Sequence, residues 1–278
     1  KFLYAGRTLG SRMRATGEVM AIGTSFEQAI MKAVRGAEIS LDTLNHPKFE
    51  NMSADELRGE LHKTTDERLF AVFAALKHGI SVDEIYAITM IDRWFLNKLL
   101  NLVKYEQAIE GKKISKSLYL EGKRIGYPDK ALARFSGEKL PAHRRAVFKM
   151  VDTCAAEFAA QTPYFYSTYD ELDHDEAPPF VKNSTKKRVI VIGSGPIRIG
   201  QGIEFDYSSV HCVWTLKELG YEVIIINNNP ETVSTDFDTA DRLYFEPHTP
   251  EDVQNVIDVE KPYGVVITFG GQTAIKLC

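Results

Sequence analysis

The chain has 278 residues, of which 44% are hydrophobic and 26% are charged. This is a globular composition, and the length is sufficient for about two domains. Lysine and arginine total 34 against 38 aspartate and glutamate residues, so the net charge is −4. This charge balance does not favour a nucleic-acid partner or a polybasic membrane patch. No apolar run approaches the roughly 18 residues of a membrane span, and the first residues show no signal-peptide pattern.

The three cysteines lie far apart, without the spacing of a metal site or a disulfide framework, at Cys154, Cys212 and Cys278. This usage is typical of reduced thiols. We therefore expect a cytoplasmic protein that has neither a nucleic-acid nor a membrane partner.

The first 41 residues predict one strand and one helix. Residues 18–22 form an apolar, strand-like stretch, and apolar side chains then recur at helical spacing over residues 26–37. Thr24 or Ser25 is suited to cap the amino terminus of that helix.

Residues 42–150 predict successive short helices. Three segments have the capping-box pattern, with Ser or Thr three positions before Glu, and they begin at Ser53, Thr64 and Ser81. The longest helix is predicted over residues 92–109, with an apolar face made of Trp94, Phe95, Leu99, Leu102 and Val103. Shorter helices are predicted over 129–135 and 142–148, so this block is interpreted as an all-α domain.

Residues 151–186 predict little regular structure. The aromatic segment 162–169 is expected to be extended, and the acidic, proline-containing stretch 170–179 has the composition of a linker.

From residue 187 the pattern changes to alternating strands and helices. Apolar runs predict strands at 188–192, 222–226, 242–245 and 264–268. Helices are predicted over residues 207–219 and 250–260. This alternation indicates a parallel sheet that is covered on both faces, with the strand spacing of a doubly wound fold.

The turn after the first of these strands is the strongest local signal. Gly193 and Gly195 begin like a dinucleotide-binding turn, but Arg198 stands where the third glycine belongs. Asparagines 227–229 replace the acidic residue that would bind a ribose. Since no Gly-Lys-Ser or Gly-Lys-Thr follows, a P-loop is excluded as well.

Three polar segments, two of them glycine-rich, follow three of the predicted strands, at 193–207, 229–236 and 269–272. Because the carboxyl ends of parallel strands collect at one sheet edge, we expect these segments to converge on a site. Taken singly, Glu204 and Asp206 are also explained as charges that complement a helix dipole. Arg198 alone is also explained as a surface or capping contact.

Both ends of the sequence read as interrupted. The chain starts at Lys1 and stops at Cys278, soon after a helix predicted to begin near Thr273. An unfinished strand–helix unit would leave an apolar face uncovered. We therefore expect the sequence to be a piece of a larger protein.

Taken together, these segments resemble the large subunit of carbamoyl-phosphate synthase. The resemblance is carried by several motifs in order, at residues 13–23, 149–158, 162–169, 193–207, 229–236 and 269–273. It implies three parts: 1–41 as the tail of the first ATP-grasp half, 42–180 as a helical oligomerisation domain with an extended linker, and 181–278 as the start of the second half. That last part is expected to be a truncated, doubly wound pre-ATP-grasp domain.

The resemblance further implies an ATP-dependent ligase that makes carbamoyl phosphate from bicarbonate, ammonia and two ATP, for arginine and pyrimidine biosynthesis. Its expected partners are a glutaminase small subunit, the remaining large-subunit domains and further copies of itself. The complete enzyme would use ATP with magnesium or manganese. This chain lacks both ATP-grasp bodies, so we expect it to hold no catalytic, cofactor-binding or metal-binding residue and to be inactive alone.

In the resembled family, carbamate passes between the two sites through a tunnel, which protects it from water. Five positions match residues that line that tunnel: Glu18, Arg198, Gly202, Glu204 and Glu231. Glycine at 202 would leave the bore open, and Arg198 is expected to pair with a neighbouring carboxylate such as Glu204. Simple core salt bridges are the competing interpretation of these charges.

A second interpretation of the whole chain remains open. The chain would then be a free-standing helical assembly module attached to a sheet domain, with no small-molecule site. Long ATP-grasp-like flanks on both sides in the parent reading frame would distinguish the synthase from this module.

Overall fold

The computed structural model describes residues 6–15, 17–141, 143–169, 174–182, 184–198 and 203–278. The helices are α1 (Phe26–Gly36), α2 (Ala54–Leu61), α3 (Arg68–Lys77), α4 (Val82–Thr89), α5 (Arg93–Ile109), α6 (Lys116–Arg124), α7 (Asp129–Ser136), α8 (Pro178–Lys182), α9 (Glu204–Glu218), α10 (Pro250–Glu260) and α11 (Gly271–Ile275). The strands are β1 (Val147–Met150), β2 (Tyr164–Thr168), β3 (Arg188–Ile192), β4 (Glu222–Ile226), β5 (Arg242–Tyr244) and β6 (Gly264–Val266). Within these ranges, no helix is long and apolar enough to cross a membrane.

Contacts divide the chain into two compact units. The first contains Lys1–Thr16 and Leu41–Pro141, and the second contains Gly17–Ser40 and Ala142–Cys278. Helix α1 belongs to the second unit, and so do β1 and β2, which are strands of its sheet.

The first unit contains α2 to α7, as the capping pattern predicts for this block. At Ser53 both hydrogen bonds of a capping box are present, and the Ser81 hydroxyl accepts a hydrogen bond from the backbone of Glu84. The third predicted box, at Thr64, is wrong. Helix α3 begins at Arg68 with Glu67 at its N-cap position, and no side chain caps it.

Helix α5 confirms the predicted long helix but not all of its predicted apolar face. Leu99, Leu102 and Val103 are buried, whereas Trp94 is 53% and Phe95 44% exposed. Both aromatic residues lie in the first turn of the helix, after the Asp92 N-cap. The predicted apolar face is therefore wrong at Trp94 and Phe95, which form an exposed aromatic pair.

The second unit is built on one sheet with the strand order β1-β2-β5-β4-β3-β6. β1 runs antiparallel to β2, and the other neighbouring pairs are parallel. Strand β3 lies between β4 and β6, so that Ile190 is aligned with Ile224 on one side and Val265 on the other. The continuous apolar sequences of β3 and β4 fit this central, doubly covered position.

Alternate side chains of the central strands pack on opposite faces of the sheet. Ile190 belongs to an apolar cluster that includes Val256 of α10. Val191 belongs to a second cluster that includes Val213 of α9. Helices therefore cover both faces, and the predicted combination of α and α/β structure is confirmed at this level.

Two local predictions are wrong. Residues 142–148 are predicted to be helical; of these, residue 142 lies outside the described residues and 143–146 have no regular structure. β1 begins at Val147, because Val147 and Phe148 are buried in the sheet and pair with β2. Residues 18–22 are predicted as a strand, but they have no regular secondary structure. The Met20 amide makes one backbone hydrogen bond, 2.8 Å long, to the carbonyl of Asn228.

Candidate functional site

The glycine-rich turn after β3 is shaped by close contact with an asparagine. The Gly193 amide donates to the carbonyl of Ile226 over 2.8 Å, and the Gly195 amide donates to Oδ1 of Asn227 over 3.0 Å. A Cβ on Gly193 would lie 2.6 Å from the Asn227 side chain, and Gly195 has φ +66°. The glycines here allow backbone and asparagine to approach each other.

The asparagines after β4 join this turn to the polar segment that follows them. Asn227 donates from Nδ2 to Oγ of Ser234 over 3.0 Å, and Asn229 accepts from the Glu231 amide over 3.0 Å. The buried carboxylate of Asp206, on α9, accepts from the Ser234 amide over 3.2 Å. These asparagines therefore act as structural links at the sheet edge.

The third predicted segment reaches the same edge. Nη2 of Arg198 lies 3.4 Å from Oγ1 of Thr273, and Oγ of Ser209 donates to the carbonyl of Phe269 over 3.4 Å. The predicted convergence of the three polar segments is thus confirmed.

Arg198 forms its ion pair with Glu38, through Nη2 and Oε2, and not with Glu204. The Thr273 hydroxyl donates to the same Glu38 oxygen. Glu204 is exposed at the start of α9, so the expected Arg198–Glu204 pair is wrong. Sequence reasoning missed Glu38, which lies just after α1 with φ +55° and belongs to no recognisable motif.

Glu18 and Glu231 are 213 positions apart in sequence, yet Glu231 is close enough to act on the charge of Glu18. Partial loss of hydration, together with the negative charge of Glu231, raises the pKa of Glu18 above its ordinary value. Two of the five predicted tunnel residues therefore lie together. Gly202, a third, lies outside the described residues.

A pocket of about 570 Å³ lies beside α9 and the segment after β4. Its walls include Tyr207, His211 and Trp214, whose rings follow one another at centroid distances of 4.2 and 5.1 Å. Glu231 and Asp206 contribute carboxylates to the lining. In the part of the chain that the structure describes, no group of three or more His, Cys, Asp or Glu residues could hold a metal ion.

His248 follows β5, and its ring is fully buried. Nε2 lies 3.1 Å from the carbonyl of Ile226, and desolvation lowers the pKa of His248 to about 4. The imidazole is therefore neutral at pH 7.

Comparison with known proteins identifies the class of each part. Residues 18–151 match the family profile described as the carbamoyl-phosphate synthetase large chain, oligomerisation domain. Residues 185–278 match the profile described as the carbamoyl phosphate synthase preATP-grasp domain.

Individual relatives match over the whole chain. The carbamoyl phosphate synthase large chain of Lachnoclostridium phytofermentans is 51% identical over 286 residues, and that of Clostridium botulinum is 51% identical over 288. The protein of the same name from Methanothrix thermoacetophila is 49% identical over 285 residues. Each alignment covers 100% of this chain but 26% of the relative. The chain belongs to the family of carbamoyl phosphate synthase large chains and spans about a quarter of the length of these relatives.

Proposed function

We propose that this chain is the part of a carbamoyl phosphate synthase large chain that links its two ATP-dependent halves. The supporting observation is that similarity to the large chains covers 100% of the chain, with an oligomerisation-domain match followed by a preATP-grasp match. The complete protein would be an ATP-dependent ligase that uses magnesium or manganese. It would work with a glutaminase small subunit in the cytoplasm.

In this proposal, the second unit is a doubly wound pre-ATP-grasp domain that forms part of a carbamate conduit. Arg198, Glu18 and Glu231 supply polar groups at or near the carboxyl edge of its sheet, and Glu204 begins α9 at the same edge. Gly202 is included in the proposed conduit on its sequence match alone. The nearness of Glu231 to Glu18, which raises the pKa of Glu18, supports this assignment, because it places two of the five tunnel positions side by side.

The chain by itself is proposed to be inactive and to bind no ATP. The Gly193 and Gly195 amides, which would otherwise be available to a phosphate, already donate to Ile226 and Asn227. Calorimetric titration of the chain with magnesium and ATP should therefore give no binding heat. Micromolar affinity would contradict this part of the proposal.

The conduit is tested in the complete enzyme by Gly202→Leu. A leucine side chain would fill the proposed bore, and overpacking of this kind typically costs roughly 1–3 kcal/mol, which an ordinary protein survives. Glutamine hydrolysis and bicarbonate-dependent ATP use should continue, while carbamoyl phosphate formation is largely lost.

Gly59→Leu is the matched control, since a Cβ at Gly59 would meet nothing within 4 Å. It should leave all three activities unchanged. If Gly202→Leu forms carbamoyl phosphate at the normal ratio to ATP consumed, the conduit does not pass this turn, and the charges nearby are structural.

A further inference from the structure

Only one of the two carboxylate oxygens of Glu38 makes hydrogen bonds to the residues that the structure describes. Its Oε2 atom receives both the Arg198 guanidinium and the Thr273 hydroxyl. Its Oε1 atom is buried, and none of the residues that the structure describes donates a hydrogen bond to it. The Glu38 side chain is only 8% exposed, so an unsatisfied oxygen at this place is costly.

Oε1 of Glu38 faces a second buried acceptor. Nδ1 of His248 lies 3.8 Å away and likewise has no hydrogen-bond partner among the described residues. Because the Ile226 carbonyl can only accept, Nε2 of His248 carries the ring proton and Nδ1 presents a lone pair. Two acceptors therefore point at each other, at a distance too long for a shared proton.

Gly195 lies against this gap. A Cβ at Gly195 would lie 2.8 Å from Oε1 of Glu38 and 3.5 Å from Nδ1 of His248. Any larger residue would enter the space between the turn and the two acceptors. The left-handed backbone at Gly195, with φ +66°, also disfavours such a residue.

We propose that Glu38 is the positioning residue for Arg198, and that Glu38 is itself held by one water molecule enclosed between its Oε1 atom and Nδ1 of His248. A water supplies the two donors that the two acceptors require. An ammonium ion has the same donors, but Arg198 already neutralises Glu38 and His248 is neutral, so a second cation would be unpaired. The importance of Arg198 itself rests on the proposed conduit.

The protonation of His248 is the first test, made on the chain itself by nuclear magnetic resonance. Long-range proton–nitrogen correlation reads which imidazole nitrogen carries the proton, and His248→Phe identifies the signal. At pH 7 we expect a neutral ring with the proton on Nε2. The Nδ1 signal should be shifted by the hydrogen bond that Nδ1 accepts, and the ring protons of His248 should show cross-relaxation with water. Three results would contradict the enclosed water. The first is a proton on Nδ1, and the second is an Nδ1 signal that changes when ammonium is added at constant ionic strength. The third is a correlation showing that a group of the chain itself donates the hydrogen bond to Nδ1.

The second test distinguishes the contact of Glu38 with Arg198 from its contact with the proposed water. In Glu38→Gln the side-chain amide can donate to the enclosed water, which still donates to Nδ1 of His248. The Nδ1 signal should therefore stay hydrogen bonded, while Arg198 loses its charged partner. Rotation of the Arg198 guanidinium should become about tenfold faster, as expected for the loss of a charge-assisted hydrogen bond. Glu157→Gln, an exposed glutamate of the same unit, should change neither signal.

Unchanged Arg198 rotation in Glu38→Gln would show that Glu38 does not position Arg198. Neither measurement needs an active enzyme. Failure here is therefore distinguishable from failure of the conduit, which is read from carbamoyl phosphate formation in Gly202→Leu.

Discussion

At the scale of single residues, buried charges hold α1 in the second unit. Lys32 is buried, and its Nζ lies 3.0 Å from Oε1 of Glu246 and 2.8 Å from the carbonyl of Ser167. Arg35 pairs with Asp252 over 3.3 Å, one helical turn further along α1. The apolar spacing predicts α1 itself, but not that two of its cations are buried.

Lys32→Met should strongly destabilise the second unit, because it leaves the Glu246 carboxylate buried without its cation. Removing one partner of such a pair typically costs about 3–5 kcal/mol. The chain has two tryptophans, so urea unfolding of a Trp94→Phe background reports the second unit through Trp214. Lys186→Met, at an exposed lysine, should change the unfolding free energy by less than about 0.5 kcal/mol. Equal effects of the two variants would show that the ion pair contributes nothing.

His248 predicts a specific dependence of stability on pH. Its pKa is lowered from 6.5 to about 4 by burial, so between these values the unfolded chain binds a proton that the folded chain does not. Stability should therefore fall as the pH falls from 6.5 to 4, by roughly 3 kcal/mol from this group alone. In His248→Leu, the part of the pH dependence of the unfolding free energy that comes from this group should disappear, measured again through Trp214. His62→Leu is the control, because His62 lies in the first unit, and it should leave the pH dependence measured through Trp214 as in the wild type. A wild-type slope retained in His248→Leu would contradict the neutral, buried ring.

At the scale of elements, the helix caps of the first unit provide a matched comparison. Ser53 makes both bonds of its capping box, whereas Thr64, predicted from the same pattern, caps nothing. Ser53→Ala should lower the unfolding free energy by about 1 kcal/mol, and Thr64→Ala by less than about 0.5 kcal/mol. Trp94 reports this unit in a Trp214→Phe background. Similar losses for both variants would mean that the cap bonds at Ser53 do not stabilise α2.

The elements that the sequence predicts well are those specified by local pattern. Strands β3 and β4 are continuous apolar runs, and α5 has a clear N-cap and a long apolar period. β1 could not be predicted in this way, because its four residues become a strand only by pairing with β2. The same applies to residues 18–22, whose apolar side chains pack beside the sheet without joining it.

The candidate site shows the same division. Its location was predictable, because parallel strands bring the segments after Ile192 and Ile226 to one edge. Glu38 was not, because it reaches Arg198 from a segment 160 positions earlier in the sequence, after α1. A partner fixed by tertiary contact and a left-handed backbone leaves no periodic signal in the sequence.

At the scale of the whole molecule, the first unit carries an exposed aromatic patch formed by Trp94 and Phe95. The two aromatic rings meet edge to face at a centroid distance of 5.0 Å, so they form one continuous surface. Large exposed aromatic groups are typical of interfaces, and identical chains usually associate about a two-fold axis. The matched oligomerisation-domain profile covers this patch. We therefore expect the chain to self-associate through it.

Sedimentation of the chain at tens of micromolar should show a dimer or a larger species. Trp94→Arg should shift it towards the monomer, because a buried, unpaired guanidinium is unfavourable in an apolar interface. Trp214→Arg is the matched control, since Trp214 is also exposed but lies in the second unit, and it should leave the association unchanged. If Trp214→Arg alone dissociates the assembly, the interface lies on α9 and not on the aromatic patch. A wild-type chain that sediments as a clean monomer would mean that parts of the large chain outside this quarter supply the contact.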